Sequence, residues 1–388
     1  EGGMEINLDK IKCDDIVKIL FAENPGVVIQ VADKHKAEVK KILEDAGVGY
    51  VKIGVPTEER HILATLHDAT YQFGIDYLRD VWYSTSYLLD RKQSMNGCAK
   101  KRFENYKQQP LEFVFDKSFT GKLSQFGLDP NRRTPSGIKA AIIREKGTNG
   151  EREMAYMLYL AGFDVKDVTM TDLISGRETL EDINMVVYCG GFSNSDVLGS
   201  AKGWAGAFLF NPKAKAALDN FYARKDTLSL GVCNGCQLMI ELNLINPDFT
   251  QKAKMLHNDS HKFESKFVGV TVPMNRSVMF GSLSGSKLGI WVAHGEGKFS
   301  LPYHEDKYNV VLKYSYDEYP GNPNGSDYSV AGLASPDGRH LAMMPHLERS
   351  CFPWQNAYYP ADRIKNDQIT PWMEAFVNAR KWIEMNKK

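Results

Sequence analysis

Short apolar segments alternate with amphipathic segments in the second half of the chain. Runs of buried-type residues predict strands, and apolar positions spaced at the helical period predict helices between them. The predicted strands are 138–144, 163–169, 185–188 and 227–232, and the predicted helices are 151–161 and 213–224. This alternation is typical of a parallel sheet with helices on both faces. In such sheets reactive groups gather where the strands end.

Beyond residue 240 the pattern becomes richer in strands. The predicted strands there are 267–272, 288–292, 310–314, 330–333 and 341–344, followed by a terminal helix at 372–382. We therefore predict an α/β fold with a mostly parallel central sheet flanked by helices.

The chain before residue 137 has a different pattern. Helices at 13–23 and 36–46 and strands at 26–31 and 50–54 predict a small α+β lobe. Residues 77–108 are predicted to be helical, with an apolar stripe of Tyr77, Val81, Tyr87 and Leu88. Residues 109–136 are rich in Pro, Gly, Asn and Arg, as linkers are. The predicted parts are thus a lobe at 1–76, a helical and irregular linker at 77–136, and the α/β domain at 137–388.

Composition narrows the classes of function. The 388 residues carry 48 basic and 48 acidic side chains, so charge gives no argument for a nucleic-acid or acidic-membrane partner. No apolar run approaches the about 20 residues that a membrane helix needs, and no signal peptide is evident. Six cysteines are too sparse for a disulfide framework, which favours the cytoplasm. The chain starts without Met, and we expect a fragment of a longer protein.

One segment carries a candidate nucleophile. Residues 227–240 are typical of a strand, a sharp turn and the start of a helix, with Cys233 at the apex between Gly231 and Gly235. A nucleophile on so tight a turn leaves no room for neighbouring Cβ atoms, which explains both glycines. The unpaired N–H groups and the dipole of the following helix favour a thiolate.

The cysteine motif has other interpretations. A G-x-C-x-G pattern also arises by chance, and buried cysteines are common. Cys233 and Cys236 form a C-x-x-C pair, which occurs in redox proteins and in halves of zinc sites. The sequence offers no second ligand pair at zinc spacing, so we predict no metal. The redox interpretation stays open.

Two other strand ends carry candidate chemistry. Gly190 and Gly191 follow the strand at 185–188, where backbone N–H groups of consecutive glycines could face an oxyanion, or could form a plain tight turn. His346 and Glu348 follow the strand at 341–344. One of this pair could act as a base while the other orients it.

These motifs together resemble a known family. The turn at 231–237 is similar to the nucleophile elbow of triad (class I) glutamine amidotransferases, in the form found in the phosphoribosylformylglycinamidine synthase family. Segments that agree with this family in order and spacing are 189–193, 196–199, 258–264, 293–299, 322–326 and 343–349. The resemblance covers 138–385, and 21–28 and 78–82 are similar to the end of the synthetase part. Leu347 departs from the Pro that the family usually has, and 193–196 departs from its commoner Ser-Tyr-Gly-Asp.

The resemblance implies a flavodoxin-like fold, a glutaminase reaction and a set of site residues. The implied catalytic residues are Cys233, His346 and Glu348. The implied oxyanion hole consists of Gly191, Phe192 and Asn234. The implied glutamine pocket contains Gln237, Asn258, Ser260, Phe263, Glu264 and His294.

The resemblance also implies the partners. L-glutamine would be the substrate, with no cofactor in this part of the protein. ATP and Mg²⁺ would serve the synthetase domains of the same, longer polypeptide, where the ammonia would be used. Three rival functions remain: a cysteine hydrolase of esters or peptides, a thiol-redox protein, and a docking and ammonia-donating module that is inactive alone.

Overall fold

The computed structural model describes residues 2–109 and 111–387. The ends of the predicted parts at Glu1 and Lys388, and Pro110 in the predicted linker, lie outside the described residues. The contacts divide the chain into two compact units, and the boundary in the sequence lies between Leu89 and Asp90. Residues 90–136 therefore belong to the second unit. The domain boundaries at 76 and 136 stay a prediction.

The first unit is a small α+β structure, as predicted. In chain order its described residues form β1 Gly3–Asn7, α1 Ile16–Phe21, α2 Lys36–Asp45, β2 Gly54–Thr57, β3 His61–Leu66, β4 Ala69–Gly74 and the start of α3 Ile75–Gln93. The strands form one sheet in the order β2-β1-β3-β4. Asp15 begins α1 by accepting hydrogen bonds from the N–H groups of Val17 and Lys18.

Two strand predictions in this unit were wrong. Residues 26–31 are not a strand, and their apolar side chains lie in water, with Val27 86% exposed. Residues 50–53 are likewise irregular, and β2 starts only at Gly54. The β-branched residues of both segments favoured a strand locally. The described ladders do not include 26–31, and 50–53 is joined to β1 through the carbonyl of Ile53, which accepts from the N–H of Asn7 at 2.6 Å. Without a full ladder of such bonds neither segment is a β-strand. The predicted helix at 77–108 is interrupted between Gln93 and Cys98.

The second unit contains the α/β structure. Its described residues form α4 Cys98–Glu104, β5 Lys139–Arg144, α5 Glu151–Ala161, β6 Asp164–Thr169, α6 Met170–Ser175, β7 Met185–Tyr188, α7 Lys202–Leu209, α8 Pro212–Ala223, β8 Leu228–Val232, α9 Asn234–Glu241, β9 Lys254–Leu256, β10 Glu264–Thr271, β11 Lys287–His294, β12 Lys298–Ser300, β13 Asn309–Tyr314, β14 Val330–Ala334, β15 His340–Met343 and α10 Trp372–Asn386. The predicted strands and helices of this region all appear, within a few residues at their ends.

The main sheet has a parallel half and an antiparallel half. Its order is β6-β5-β7-β8-β15-β14-β13-β10-β11, and the five strands from β6 to β15 are parallel. In chain order those five strands have the 2-1-3-4-5 arrangement of flavodoxin-like folds. The predicted α/β class is confirmed, and the sheet is mixed because the strands after β15 in this order pair antiparallel.

Burial explains the parallel half. Every residue of β7 and β8 is buried, as expected for strands covered by helices on both faces. Tyr188 pairs with Gly231, and Met343 pairs with Val232, so β7, β8 and β15 end at the same level of the sheet. The segments that follow these strands therefore begin at one edge.

Among the helices of 2–109 and 111–387, none combines the length and the apolar character that crossing a bilayer requires.

The packing of α10 against the sheet predicts a stability effect. Trp372 is 1% exposed, and its indole N–H donates to the carbonyl of Gly289 at 2.9 Å. Trp372→Ala should lower the free energy of unfolding of the second unit by about 3–5 kcal/mol, since it leaves a cavity and an unsatisfied carbonyl. Urea unfolding followed by far-UV circular dichroism measures this change. Trp354, 77% exposed, is the matched control, and equal midpoints for Trp372→Ala and Trp354→Ala would contradict the packing argument.

Candidate active site

The turn between β8 and α9 holds Cys233 in an unusual backbone conformation. Its φ is 53° and its ψ is −109°, outside the regions that non-glycine residues normally adopt. The N–H of Cys233 donates to the carbonyl of Met343 in the adjacent strand at 2.9 Å. Such strained residues cost about 1–3 kcal/mol and persist only where the surroundings hold them. This conformation places Cys233 at the carboxyl end of β8, directly before α9.

Both glycines of the motif allow close approach of the backbone. A Cβ atom on Gly231 would lie 2.5 Å from the carbonyl oxygen of Gly235. A Cβ on Gly235 would lie 2.0 Å from the carbonyl oxygen of Tyr188 in β7. The turn can therefore pack against the sheet only with glycine at these positions, in agreement with the steric argument from the sequence.

His346 and Glu348 form a buried pair next to this turn. The Nδ1 atom of His346 lies 2.6 Å from Oε1 of Glu348, and the two side chains are 2% and 1% exposed. The backbone N–H of His346 donates to the carbonyl of Trp291 at 2.9 Å. Leu347, which replaces the usual proline, is fully buried. Packing thus holds this segment without the restriction that proline would impose.

The charge state of His346 follows from its neighbours. Burial alone would lower its pKa, but the Glu348 carboxylate and the Cys233 side chain outweigh burial and raise the pKa of His346 to about 10. A Cβ on Gly190 would lie 2.9 Å from Cε1 of His346 and 3.3 Å from Cβ of Cys233. Gly190 therefore touches both side chains, and the ring edge that does not face Glu348 is next to Cys233.

Backbone donors lie beside Cys233 in the predicted oxyanion hole. Thr148 and Gly191 face each other in an antiparallel bridge, flanked by bonds from Asn149 N–H to Gly190 O and from Phe192 N–H to Gly147 O. In this pattern the N–H of Gly191 points away from Thr148. Asn234 is the first residue of α9, where N–H groups lack intrahelical partners. The N–H of Phe192 is already bonded at 2.8 Å, so Gly191 and Asn234 are the stronger candidates.

A pocket of about 180 Å³ opens beside Cys233. Of the predicted residues, its wall includes Gly191, Phe192, Cys233, Gln237, Phe263 and His294. Asn258, Ser260 and Glu264 do not line it: they are buried behind the wall and bond to other protein groups.

Asn258 and His294 fix the shape of this wall. The amide N–H groups of Asn258 donate to the carbonyls of Lys262 at 2.9 Å and His294 at 2.7 Å. Its oxygen accepts from Gly297 N–H and lies 3.2 Å from Nδ1 of His294. Burial, helped by the charge on His346, lowers the pKa of His294 to about 3. His294 is therefore neutral at pH 7, unlike His346.

The sequence motifs did not assign six polar residues of the pocket: Asp196, Ser200, His257, His261, Lys262 and Glu296. Asp196, Ser200 and Glu296 line it, and Ser200 joins the carboxylates: its hydroxyl donates to Asp196 at 3.2 Å and its N–H to Glu296 at 3.2 Å. Burial and the charge of Glu296 raise the pKa of Asp196. Asp196 and Glu296 belong to the motifs at 196–199 and 293–299, and these motifs were the available signal. Glu296 also follows the end of β11 by two residues.

Cys236 is not exposed to the pocket. It is 0% exposed in α9, and burial raises the pKa of its thiol well above the ordinary value. A thiol-redox partner needs an accessible thiolate, so this burial speaks against the redox interpretation. No cluster of three or more His, Cys, Asp or Glu suited to a metal ion occurs within 2–109 and 111–387.

Comparison with known proteins gives the class of this domain. Residues 137–383 match the family model for the CobB/CobQ-like glutamine amidotransferase domain, and the chain belongs to that family.

The chain is also similar to particular enzymes along most of its length. It is 38% identical to phosphoribosylformylglycinamidine synthase from Homo sapiens, over 95% of this chain and 29% of that protein. It is 36% identical to the enzyme of the same name from Drosophila melanogaster, over 94% and 28%. The chain thus spans less than a third of the length of these relatives. A solved structure, PurLQS from Thermotoga maritima, is 27% identical with a TM-score of 0.48, over 65% of this chain and 99% of that one.

The close approach of Gly235 to β7 predicts that even a methyl group there disrupts the turn. Gly235→Ala should destabilise the second unit by about 1–3 kcal/mol through overpacking, and should slow alkylation of Cys233 because the turn must shift. Urea unfolding and iodoacetamide labelling measure the two effects. Gly281→Ala is the control, since a Cβ on Gly281 meets nothing within 4 Å. Wild-type stability in Gly235→Ala would refute the steric argument.

The raised pKa of His346 predicts a pH-dependent contribution to stability. The pKa of His346 rises from 6.5 to about 10 in the folded state, so protonation of His346 stabilises the folded state. This contribution to the free energy of unfolding is complete below about pH 6.5 and is lost as the pH rises through about 10. Glu348→Gln should therefore reduce the free energy of unfolding most near pH 6, and the deficit should shrink as the pH rises toward 10. Unfolding titrations at several pH values test this, with the exposed Glu181→Gln as control. A deficit that grows with pH would show the sign to be wrong.

Proposed function

We propose that the second unit hydrolyses L-glutamine to glutamate and ammonia through a covalent cysteine intermediate. The observation that carries this proposal is the meeting of Cys233, the His346–Glu348 pair and a pocket at one sheet edge. Membership of the glutamine amidotransferase family supports the substrate.

The first half of the reaction forms a thioester. The Cys233 sulfur attacks the side-chain carboxamide carbon of glutamine as the thiolate, and the protonated His346 stands beside it. Glu348 holds Nδ1 of the ring, so Nε2 faces the reacting atoms. The N–H groups of Gly191 and Asn234 stabilise the tetrahedral oxyanion; one such donor is typically worth ~10²–10³ in rate. His346 then gives a proton to the leaving nitrogen, and ammonia departs.

The second half regenerates the enzyme. His346, now neutral, takes a proton from water as the water attacks the thioester carbonyl. The second tetrahedral intermediate collapses, glutamate leaves, and Cys233 returns as thiolate beside imidazolium. The sum is glutamine plus water giving glutamate plus ammonia.

The names of the relatives support a larger context for this reaction. We place the chain in a phosphoribosylformylglycinamidine synthase, whose ATP- and Mg²⁺-dependent synthetase domains would lie in the same polypeptide and use the ammonia to convert formylglycinamide ribotide to the amidine in purine synthesis. The glutaminase part needs no cofactor in this scheme. The compartment that we propose is the cytoplasm, on the cysteine content of the sequence.

Substitution of the two cysteines tests the nucleophile. Cys233→Ala should reduce glutamate release from glutamine at least about a thousandfold, as loss of a covalent nucleophile does elsewhere. Cys236→Ala, which removes a buried sulfur without touching the pocket, should keep most of the activity. Glutamate release in a coupled assay is the measurement.

Controls in the same assay separate the rivals. Equal loss in both variants, with both folded by circular dichroism, would favour a paired-thiol function. Release from glutaminyl peptides as fast as from free glutamine would favour a general cysteine hydrolase. An inactive unmutated chain that regains activity when synthetase domains are added would support the docking-module alternative.

A further inference from the structure

One wall of the pocket is attached to residues outside the amidotransferase domain. The loop at 257–264, here called the pocket loop, contributes His257, His261, Lys262 and Phe263 to the pocket. Residues 90–105, here called the α4 segment, contact this loop, yet they precede the family match, which starts at 137. All of these residues belong to the second unit.

Two hydrogen bonds hold the first half of the pocket loop to the α4 segment. The backbone N–H of Met95 donates to the carbonyl of Ser260 at 3.0 Å. The side-chain amide of Asn96 donates to the carbonyl of Asp259 at 2.9 Å. Both acceptors are main-chain atoms, so these bonds fix the path of the loop rather than one side chain.

Ion pairs hold the second half. Asp90 accepts from Nζ of Lys262 at 3.0 Å and from the guanidinium of Arg102 at 2.5 Å. Arg102 also lies 3.5 Å from Oε1 of Glu264 and 5.0 Å from the centroid of the Tyr319 ring. Arg102 thus contacts both Asp90, which binds Lys262, and Glu264, the last residue of the pocket loop.

The acidic members of this ion-pair network are largely buried, which strengthens their interactions. The side chains of Asp90 and Glu264 are 13% and 3% exposed, where ion pairs escape most screening by solvent. Burial raises the pKa of Asp90, but hydrogen bonds from Ser94 and Lys262 and the charge of Arg102 outweigh it and lower the pKa overall. Asp90 therefore remains ionised at neutral pH.

Inside the domain the pocket loop is also held at both ends. Asn258 ties the carbonyls of Lys262 and His294 together. Nζ of Lys298 lies 2.7 Å from Asp259, and Glu264 accepts from the hydroxyl of Tyr319 at 3.0 Å and pairs with Lys266 at 2.7 Å. The α4 segment therefore adds to these anchors and is the part that lies outside the family match.

Cys233, His346 and Glu348 belong to β8, β15 and the turns that follow them, apart from this loop. A shift of the loop would change the space for substrate and leave the reacting side chains in place.

We propose that the α4 segment positions the pocket loop and so sets the affinity for glutamine, with Asp90 and Arg102 as positioning residues. This inference rests on the proposed glutaminase function and adds that the substrate pocket is completed by residues outside the family domain. It places the effect on substrate binding and not on the chemical step.

Arg102→Gln in the full chain is the main test. It should raise KM for glutamine about tenfold, the effect of one lost charged hydrogen bond, and leave kcat within about twofold. Lys100→Gln is the matched control, because Lys100 lies on the same helix and its charge is paired with Glu104 in solvent, at 3.8 Å. Arg102→Lys, which keeps the charge, should recover part of the affinity.

A second measurement does not depend on turnover. Iodoacetamide should alkylate Cys233 at the same rate in Arg102→Gln and the unmutated chain, while the glutamine concentration that gives half-protection should rise about tenfold in the variant.

Asn96→Gly covers the case in which Arg102→Gln misfolds. It removes the bond to Asp259 without exposing a buried charge, and glycine accepts the positive φ at this position. It should weaken protection by glutamine about threefold, in line with one neutral hydrogen bond.

The outcomes separate the two proposals. A lower melting temperature with unchanged KM and unchanged protection in both variants would overturn the positioning role and leave the glutaminase intact. A fall in kcat at constant KM would also overturn it. Failure of glutamine to protect Cys233 in the unmutated chain would reject the proposed function itself, and the inference with it.

Discussion

The buried contact between Nδ1 of His346 and Oε1 of Glu348 is the interaction on which the candidate site depends. Two ionisable groups at 2% and 1% exposure are tolerable only as a pair, because an isolated charge there would be unsolvated. The pair fixes which ring nitrogen faces Cys233, and the Glu348 carboxylate raises the pKa of His346, whereas burial lowers the pKa of His294. The chemistry assigned to His346 needs both properties.

The parallel half of the sheet brings this pair to the cysteine. Register aligns the ends of β7, β8 and β15, so the turn at Gly190, the turn at Cys233 and the segment at His346 leave the sheet side by side. Gly190, Cys233 and His346 each follow the end of a strand by one to three residues, and His346 is more than 100 positions away from the other two in sequence. The antiparallel half adds β11, whose end supplies the wall at Ala293 and His294.

The sequence was most informative where burial and local pattern coincide. The inner strands β7 and β8 appear where their apolar runs predicted them, because each run is covered on both faces. The segment 26–31 has the same β-branched character but no pairing partner, and it is not a strand. Local composition predicts a strand correctly only when the rest of the fold supplies a neighbour.

The same limit applies to the site. The sequence motifs placed Cys233 and Gln237 at the pocket and His346 beside Glu348, and the structure has them there, whereas their catalytic roles stay a prediction. Asn258, Ser260 and Glu264 were assigned to the pocket from similar motifs, but they lie behind its wall. The attachment of the pocket loop to the α4 segment was not predictable, since it joins residues more than 150 positions apart through contacts without a local signature.

The position of Gly190 has a consequence for inherited variation. Its Cα hydrogen occupies the space between His346 and Cys233, where a Cβ would lie 2.9 Å from one and 3.3 Å from the other. Every missense change of a glycine codon introduces a Cβ, whether the new residue is polar, charged or as small as alanine. Substitution scores based on size or polarity would rank alanine there as mild, whereas the geometry predicts that alanine already displaces the His346 ring or the Cys233 side chain.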